Sequence, residues 1–146
     1  MNNLILLLNF ASTWAMVGLI WLIQVVHYPL FSQVGSAEFT KYAHDHQRLI
    51  TYIVLPLMVT ELATSFGLWS SRAQYGLELP VAAGIVLVLV IWLSTFFLQV
   101  PQHGTLAAGW DAAVHQQLVS GNWIRTIAWS ARGLLTGWMV WRVLSQ

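Results

Sequence analysis

Four stretches of this chain are each about 20 residues long and almost wholly apolar, the length an α-helix needs to cross a bilayer. Hydrocarbon holds no water to satisfy a backbone, so a segment that spans it must bond to itself as a helix or close into a barrel. The stretches cover about 4–26, 49–69, 80–100 and 123–143. They predict an all-α integral membrane four-helix bundle, up-down-up-down, formed as one domain over residues 1–146. Composition agrees, because 58% apolar and 8% charged residues could not supply an ordinary water-facing surface. The opening Met1-Asn2-Asn3-Leu4 lacks the basic stretch of a cleavable signal, so the first apolar segment is expected to persist as a helix.

Punctuation sets the expected boundaries. Pro29 disfavours helix at the residue before it, which should bring the chain out of the first helix near His27 and Tyr28. The connection 30–48 is polar, although from Ala37 onward it has no breaker and is open to helix. Pro56 predicts a kink in the second helix. Arg72, Gly76 and Glu78 mark a short turn, and Pro80 suits the first turn of the third helix. The stretch 101–121 reads as a loop, with Asn122 or Trp123 capping the last helix. That last helix carries Arg125, Ser130, Arg132 and Thr136, so one side of it should line the interior. Gly133 and Gly137 give it a small-xxx-small face for close packing. Trp69, Trp110, Trp123 and Trp141 stand near predicted boundaries, as an interfacial belt requires.

The halves share a weak internal two-hairpin repeat. Gln24-Val25-Val26-His27-Tyr28-Pro29 closes the first apolar stretch and Gln99-Val100-Pro101-Gln102-His103 closes the third, with Arg48 and Arg125 opening the segments that follow. All five histidines, His27, His44, His46, His103 and His115, fall on the side opposite the termini. Imidazole is the commonest metal ligand, so these five are candidate ligands for a metal ion or haem, with Asp45 and Asp111 as further ligands or as groups orienting the rings. On a helix His44 and His46 point about 200° apart, so only one of them can face the centre. A lone histidine is more often a satisfied polar residue than a ligand, so the metal reading rests on the clustering of the five. Gln24 and Gln99 are expected either to bond each other across the bundle or to bind a polar substrate group. Arg48 and Arg125 either snorkel to headgroups or grip an anionic or quinone-like oxygen. Tyr28, Tyr42 and Tyr52 could add hydroxyls there or serve as boundary anchors.

Glu61 lies well inside the second helix, where a carboxylate is costly without a partner. Counted from the histidine side, Glu61 and Arg132 lie at depths that agree within roughly 5 Å at about 1.5 Å per residue, which predicts a Glu61–Arg132 pair. The pair is open to a structural role in helix register or to a proton or substrate role.

Net charge of +1 leaves no broad basic field, which argues against a nucleic-acid partner. With no cysteine, disulfides, thiolate catalysis and iron–sulfur clusters are excluded. The positive charges of the two sides nearly balance. If Arg48 and Arg125 serve a site, Arg72 and Arg142 place the termini in the cytoplasm, with the bacterial inner membrane as the expected location.

Gln99-Val100-Pro101-Gln102-His103-Gly104-Thr105-Leu106 and Asn122-Trp123-Ile124-Arg125-Thr126 resemble the membrane family that includes the anthrone oxygenases, in which a Val-Pro-x-Asn-type sequence ends the third helix. His103 stands where asparagine is frequent in that family. His27-Tyr28-Pro29, Arg48, Pro56-Leu57-Met58 and Glu61 are more similar to a bacterial branch of it. They also faintly resemble the haem-dependent four-helix protoporphyrinogen oxidase, whose pattern the second half does not follow. The resemblance implies a small membrane oxidase or oxygenase acting on lipid-soluble aromatics. On that reading His27, His103 and one of His44 or His46 take the substrate proton, Arg48 or Arg125 steadies the oxyanion, and Gln24, Gln99, Tyr28, Glu61 and Arg132 bind. Three other readings stand beside it. One is a non-enzymatic haem or metal carrier with His27 and His103 as axial ligands. Another is a homo-oligomeric transport or assembly subunit with a path along Glu61 and Arg132. In the last, the polar groups serve only topology and packing.

Overall fold

The computed structural model describes residues 3–70, 73 and 76–145, apart from the side chain of Ser36. Among them the chain is helical nearly throughout: α1 (Asn3–Leu22), α2 (Tyr28–Leu30), α3 (Ser36–Trp69), α4 (Glu78–Ser94), α5 (Val100–Ala108) and α6 (Ala112–Leu144). These pieces make four rods. α1 packs chiefly against α3 and α6, and α4 packs against the same two, so α3 and α6 face each other across the middle. Three of the rods, Asn3–Gln33, Ala37–Trp69 and Glu78–Ala108, are long and apolar enough to cross a membrane. α6 is as long but more polar, and its polar residues Asn122, Arg125, Thr126, Arg132 and Thr136 are buried while Trp123, Ile124, Ile127, Leu134 and Trp138 are exposed. It turns Arg125 and Arg132 inward and much of its grease outward, the inverse of a helix on a water-soluble protein.

Pro29 and Pro101 do not end their rods. Before each of these two lies one wide turn: Tyr28 N–H bonds Ile23 O and Val100 N–H bonds Thr95 O, five residues back. In a regular helix a proline ring collides with the carbonyl four residues earlier. A π-type turn moves that carbonyl aside, so the helix passes Pro29 and Pro101 and continues. The repeat is therefore registered on proline, which matches His27 with Gln99, two residues before Pro29 and Pro101 respectively. His27 and His103 are not equivalent positions, as the matched Gln-to-His endings had suggested.

The connections are also more ordered than expected. Phe31–Gln33 forms a 3₁₀ turn and α3 starts at Ser36, so the histidine-bearing segment 44–48 is helix. α3 continues through Pro56 to Trp69. The expected 101–121 loop is α5 plus the first turns of α6. Asp111, proposed as a ligand or an orienting group, is the N-cap of α6, its side chain accepting from Ala113 N at 2.8 Å and Val114 N at 3.0 Å. Such a cap satisfies amides that otherwise lack partners. Asn122, expected as the cap, lies inside the helix and is fully buried. Arg72, used to assign orientation, lies outside the described residues.

Apolar packing falls into three layers. Leu6, Leu68, Leu77, Val81 and Met139 pack near the termini, and Met16, Ile20, Met58, Ile91 and Trp129 pack in the middle. Tyr28, Phe31, Phe39, Leu106 and Leu118 close the far end. Gly133 lets α1 come close, since a Cβ there would sit 3.0 Å from Val17 Cγ2. Between the lower two layers lies the ion pair. Arg132 Nε donates to Glu61 Oε1 at 2.8 Å, with both side chains 1% exposed. Thr13 Oγ1 (2.7 Å) and Trp129 Nε1 (3.0 Å) also donate to the carboxylate. Arg132 donates further to Gly84 O and to Ser65 Oγ. Every strong donor and acceptor of this pair has a partner, the condition under which buried charge is tolerated.

Candidate functional site

A cavity of about 380 Å³ lies inside the bundle at the end away from the termini. Its floor is Met16, Ile20, Met58 and Trp129, its walls are Ile50, Val54 and Trp92, and its polar end is Tyr28, His46, Gln47, Gln99, His103 and Arg125. The lining residues that remain exposed are Thr51 and Leu55 on α3, and Phe96 and Val100 on the Pro101 turn. The opening is thus on the flank between these two rods, among outward-facing apolar side chains rather than at an end. Apolar walls with a few convergent polar groups are the usual form of a small-molecule site.

The polar end is a chain of hydrogen bonds anchored on α6. Gln24 accepts from Asn122 Nδ2 at 2.8 Å and donates to Val119 O at 3.1 Å. Asn122 Oδ1 in turn accepts from Arg125 Nε at 3.0 Å and from its terminal Nη2. Arg125 Nη2 donates to the Tyr28 hydroxyl at 3.2 Å, and that hydroxyl lies 2.8 Å from His103 Nε2. Arginine can only donate, so Tyr28 accepts from it, and the tyrosine proton goes to His103 Nε2 in the tautomer of that ring whose Nε2 is bare. A neutral His103 then carries its proton on Nδ1. His115 Nε2 lies 2.8 Å from Tyr28 O and must be the donor, which holds the backbone that carries this tyrosine. Gln47 Nε2 donates to His103 O at 2.9 Å and ties α3 to α5.

His27 Nε2 and His46 Nδ1 lie 2.9 Å apart, and the His46 and His103 rings have centroids 5.5 Å apart. Phe31, fully buried, touches the rings of His27, His46, His103 and His115 edge-on or stacked. Among the described residues no three His, Asp or Glu side chains are grouped so that they could hold one metal ion. The reason lies in where the donors are used: His27 bonds His46, His103 bonds Tyr28, and His115 bonds a carbonyl. The metal set drawn from His27, His44, His46, His103 and His115 is therefore not assembled among the described residues.

Several expected site residues lie elsewhere. His44 is exposed while His46 faces inward, the alternation that helical geometry demands. Arg48 is exposed and bonds Asp45 at 3.0 Å, and Asp45 also bonds Lys41 at 2.7 Å. A carboxylate shared by two cations on a surface helix has no need of an imidazole, so Asp45 orients none of the rings. Tyr52 is 70% exposed and turned away. Gln24 and Gln99 do not meet. The proline register puts them on different faces, so Gln24 bonds α6 while Gln99 Oε1 accepts from Ser94 Oγ at 3.1 Å. Glu61 and Arg132 lie below the cavity and reach it only through the Trp129 ring.

Two nitrogens in the lining have no acceptor among the described residues: Gln99 Nε2 and Trp92 Nε1. An unpaired buried donor is costly, and buried polar groups are nearly always satisfied. Asn122, which the sequence suggests only as a cap, and Phe31 and Trp92 are site residues without a site signal in the pattern considered above. The spacing Asn122, Arg125, Trp129, Arg132, Thr136 follows one helical face and could have found the first of them. No family model, curated protein or solved structure matches this chain.

Proposed function

We propose that this chain is an integral membrane oxidoreductase, an oxidase or oxygenase that acts on a lipid-soluble aromatic or quinol-like molecule. The observation that carries the reading is a largely apolar cavity, open on a greasy flank, that ends in Arg125, Tyr28 and His103 beside the unpaired Gln99 amide. A ring would lie between Trp92 and the aliphatic wall, with its oxygen against the polar end. The resemblance to anthrone oxygenases points to the same substrate class. α6, with its apolar outer face, would be the fourth crossing, and the polar end would lie on the side opposite the termini.

For a hydroquinone the chemistry balances with dioxygen as oxidant. The two O–H bonds break, both C–O bonds become carbonyls, and two electrons with two protons convert dioxygen to hydrogen peroxide. Tyr28 can take a substrate proton as its own passes to His103 Nε2, the role of a positioned general base. The Arg125 cation and Gln99 Nε2 would steady the oxyanion left behind. Asn122 and Gln24 hold Arg125 in place and are positioning residues.

The test is a membrane-reconstituted preparation given a naphthohydroquinone, with binding read by tryptophan quenching and turnover by oxygen uptake. Tyr28→Phe and His103→Ala should bind the probe and lose turnover by about 10²-fold or more. Oxidation at the wild-type rate in both variants removes the mechanism. Binding without turnover in the wild type leaves a carrier rather than an enzyme, and a Soret band in the purified protein would restore the haem reading.

A further inference from the structure

A cavity that opens onto hydrocarbon admits a neutral ring but gives a proton no way out, since a bare cation in lipid is strongly disfavoured. An ionisation inside whose proton the oxidant does not take up therefore needs a second exit. We propose that His46 and His27 form that exit, a two-imidazole relay leading from the cavity into a separate groove between α1 and α3. This rests on the reading that the cavity takes a molecule with an ionisable hydroxyl.

His46 lines the cavity and also the groove of about 440 Å³ on the other side of the α1–α3 contact, whereas His27 lines the groove alone. Leu22, Leu49 and Ile53 make most of that groove as apolar as the cavity mouth, so the exit is its polar end, where His27 and Asp45 stand. The two rings are joined by the 2.9 Å contact between His27 Nε2 and His46 Nδ1. Their other nitrogens, His46 Nε2 and His27 Nδ1, have no hydrogen bond among the described residues and are free to take and to give the proton. Groups around the pair fit a directional path. Tyr28 and His103 stand on the cavity side, with Arg125 behind Tyr28. Tyr42 stacks on His46, with centroids 6.5 Å apart and planes 13° apart. Asp45 also lines the groove, 39% exposed to water and held by Lys41 and Arg48.

Transfer needs no ring to leave its place. A proton arriving at His46 Nε2 releases the one on Nδ1 to His27 Nε2, and His27 gives up its Nδ1 proton to water beside Asp45. One proton enters, one leaves and no charge remains on the pair. Resetting requires the two rings to part, so that each moves its proton between its own nitrogens through water before the 2.9 Å contact re-forms.

The experiment uses ionisation without turnover, so it stands apart from the oxidation assay. The full chain in lipid nanodiscs is mixed with a nitrophenol, whose anion is yellow and whose neutral acid is colourless. Tryptophan quenching reads binding, and an external dye reads protons reaching bulk water. Wild type should bind the nitrophenol, turn it yellow and release a proton in step. His27→Gln should quench to the same extent but release the proton about 10²-fold more slowly, with added imidazole restoring the rate. Leu49→Trp keeps both imidazoles and fills the groove, and it should slow release without response to imidazole. Equal release rates in wild type and His27→Gln overturn the relay, whether or not the protein oxidises anything. So does wild-type binding with no proton released. A wild type that does not bind the nitrophenol removes the cavity reading as well.

Discussion

Replacing Arg132 with methionine tests the energetics of the core. The guanidinium is 1% exposed and bonds Glu61 Oε1, Gly84 O, Ser65 Oγ and, at 3.4 Å, Thr13 Oγ1. Without it the Glu61 carboxylate keeps only two donors, Thr13 and Trp129, and an uncompensated charge. Breaking one side of a buried pair costs about 3–5 kcal/mol, or roughly two to three and a half decades in the folding equilibrium. Glu61→Met should cost a similar amount by stranding the cation. The double variant removes both charges and fills much of the space with apolar atoms, so it should be less destabilised than the sum of the two singles by about 2–3 kcal/mol. Reversible unfolding in mixed micelles, followed by helical signal, measures all four proteins. Additivity of the two single substitutions within about 0.5 kcal/mol would refute the assignment of the pair as one coupled unit. Because the pair reaches the cavity only through Trp129, nitrophenol affinity in the folded double variant should stay close to wild type. A large loss of affinity would move Glu61 and Arg132 from the scaffold into the site.

Other outcomes follow from the same geometry. Gln24→Leu removes the acceptor behind Asn122 and should lower turnover with little change in ring binding, read as a fall in kcat at constant KM. Gly133→Ala places a methyl 3.0 Å from Val17 Cγ2 and should destabilise by about 1–3 kcal/mol in the micelle assay. Leu55→Trp on the cavity rim should slow nitrophenol entry from the bilayer in stopped-flow quenching while the buried Tyr28–His103 bond is untouched. His44→Ala and Arg48→Ala should leave oxygen uptake at wild-type levels, since both side chains point away from the cavity.

The class of solution is legible in the chain's pattern of apolar stretches. Apolar stretches of membrane-crossing length leave a helical bundle as the economical fold, and one carboxylate with one guanidinium at matching depth leaves few other pairings in so greasy a chain. Glu61 and Arg132 were legible for that reason, as was the choice between His44 and His46, which helical geometry restricts to one inward ring. Lateral and rotational relations were decided only by tertiary structure. Whether a helix stops at proline or widens by one hydrogen bond depends on what the next turn can pack against. At Pro29 and Pro101 it widened, shifting the repeat so that Gln24 and Gln99 part. Arg48 and Arg125 look alike as boundary arginines. One meets Asp45 on the surface of its own helix, and the other meets Tyr28 from a residue 97 positions away. Spacing along a rod orders the groups on that rod, but only the packing of rods against one another puts a tyrosine between a guanidinium and an imidazole.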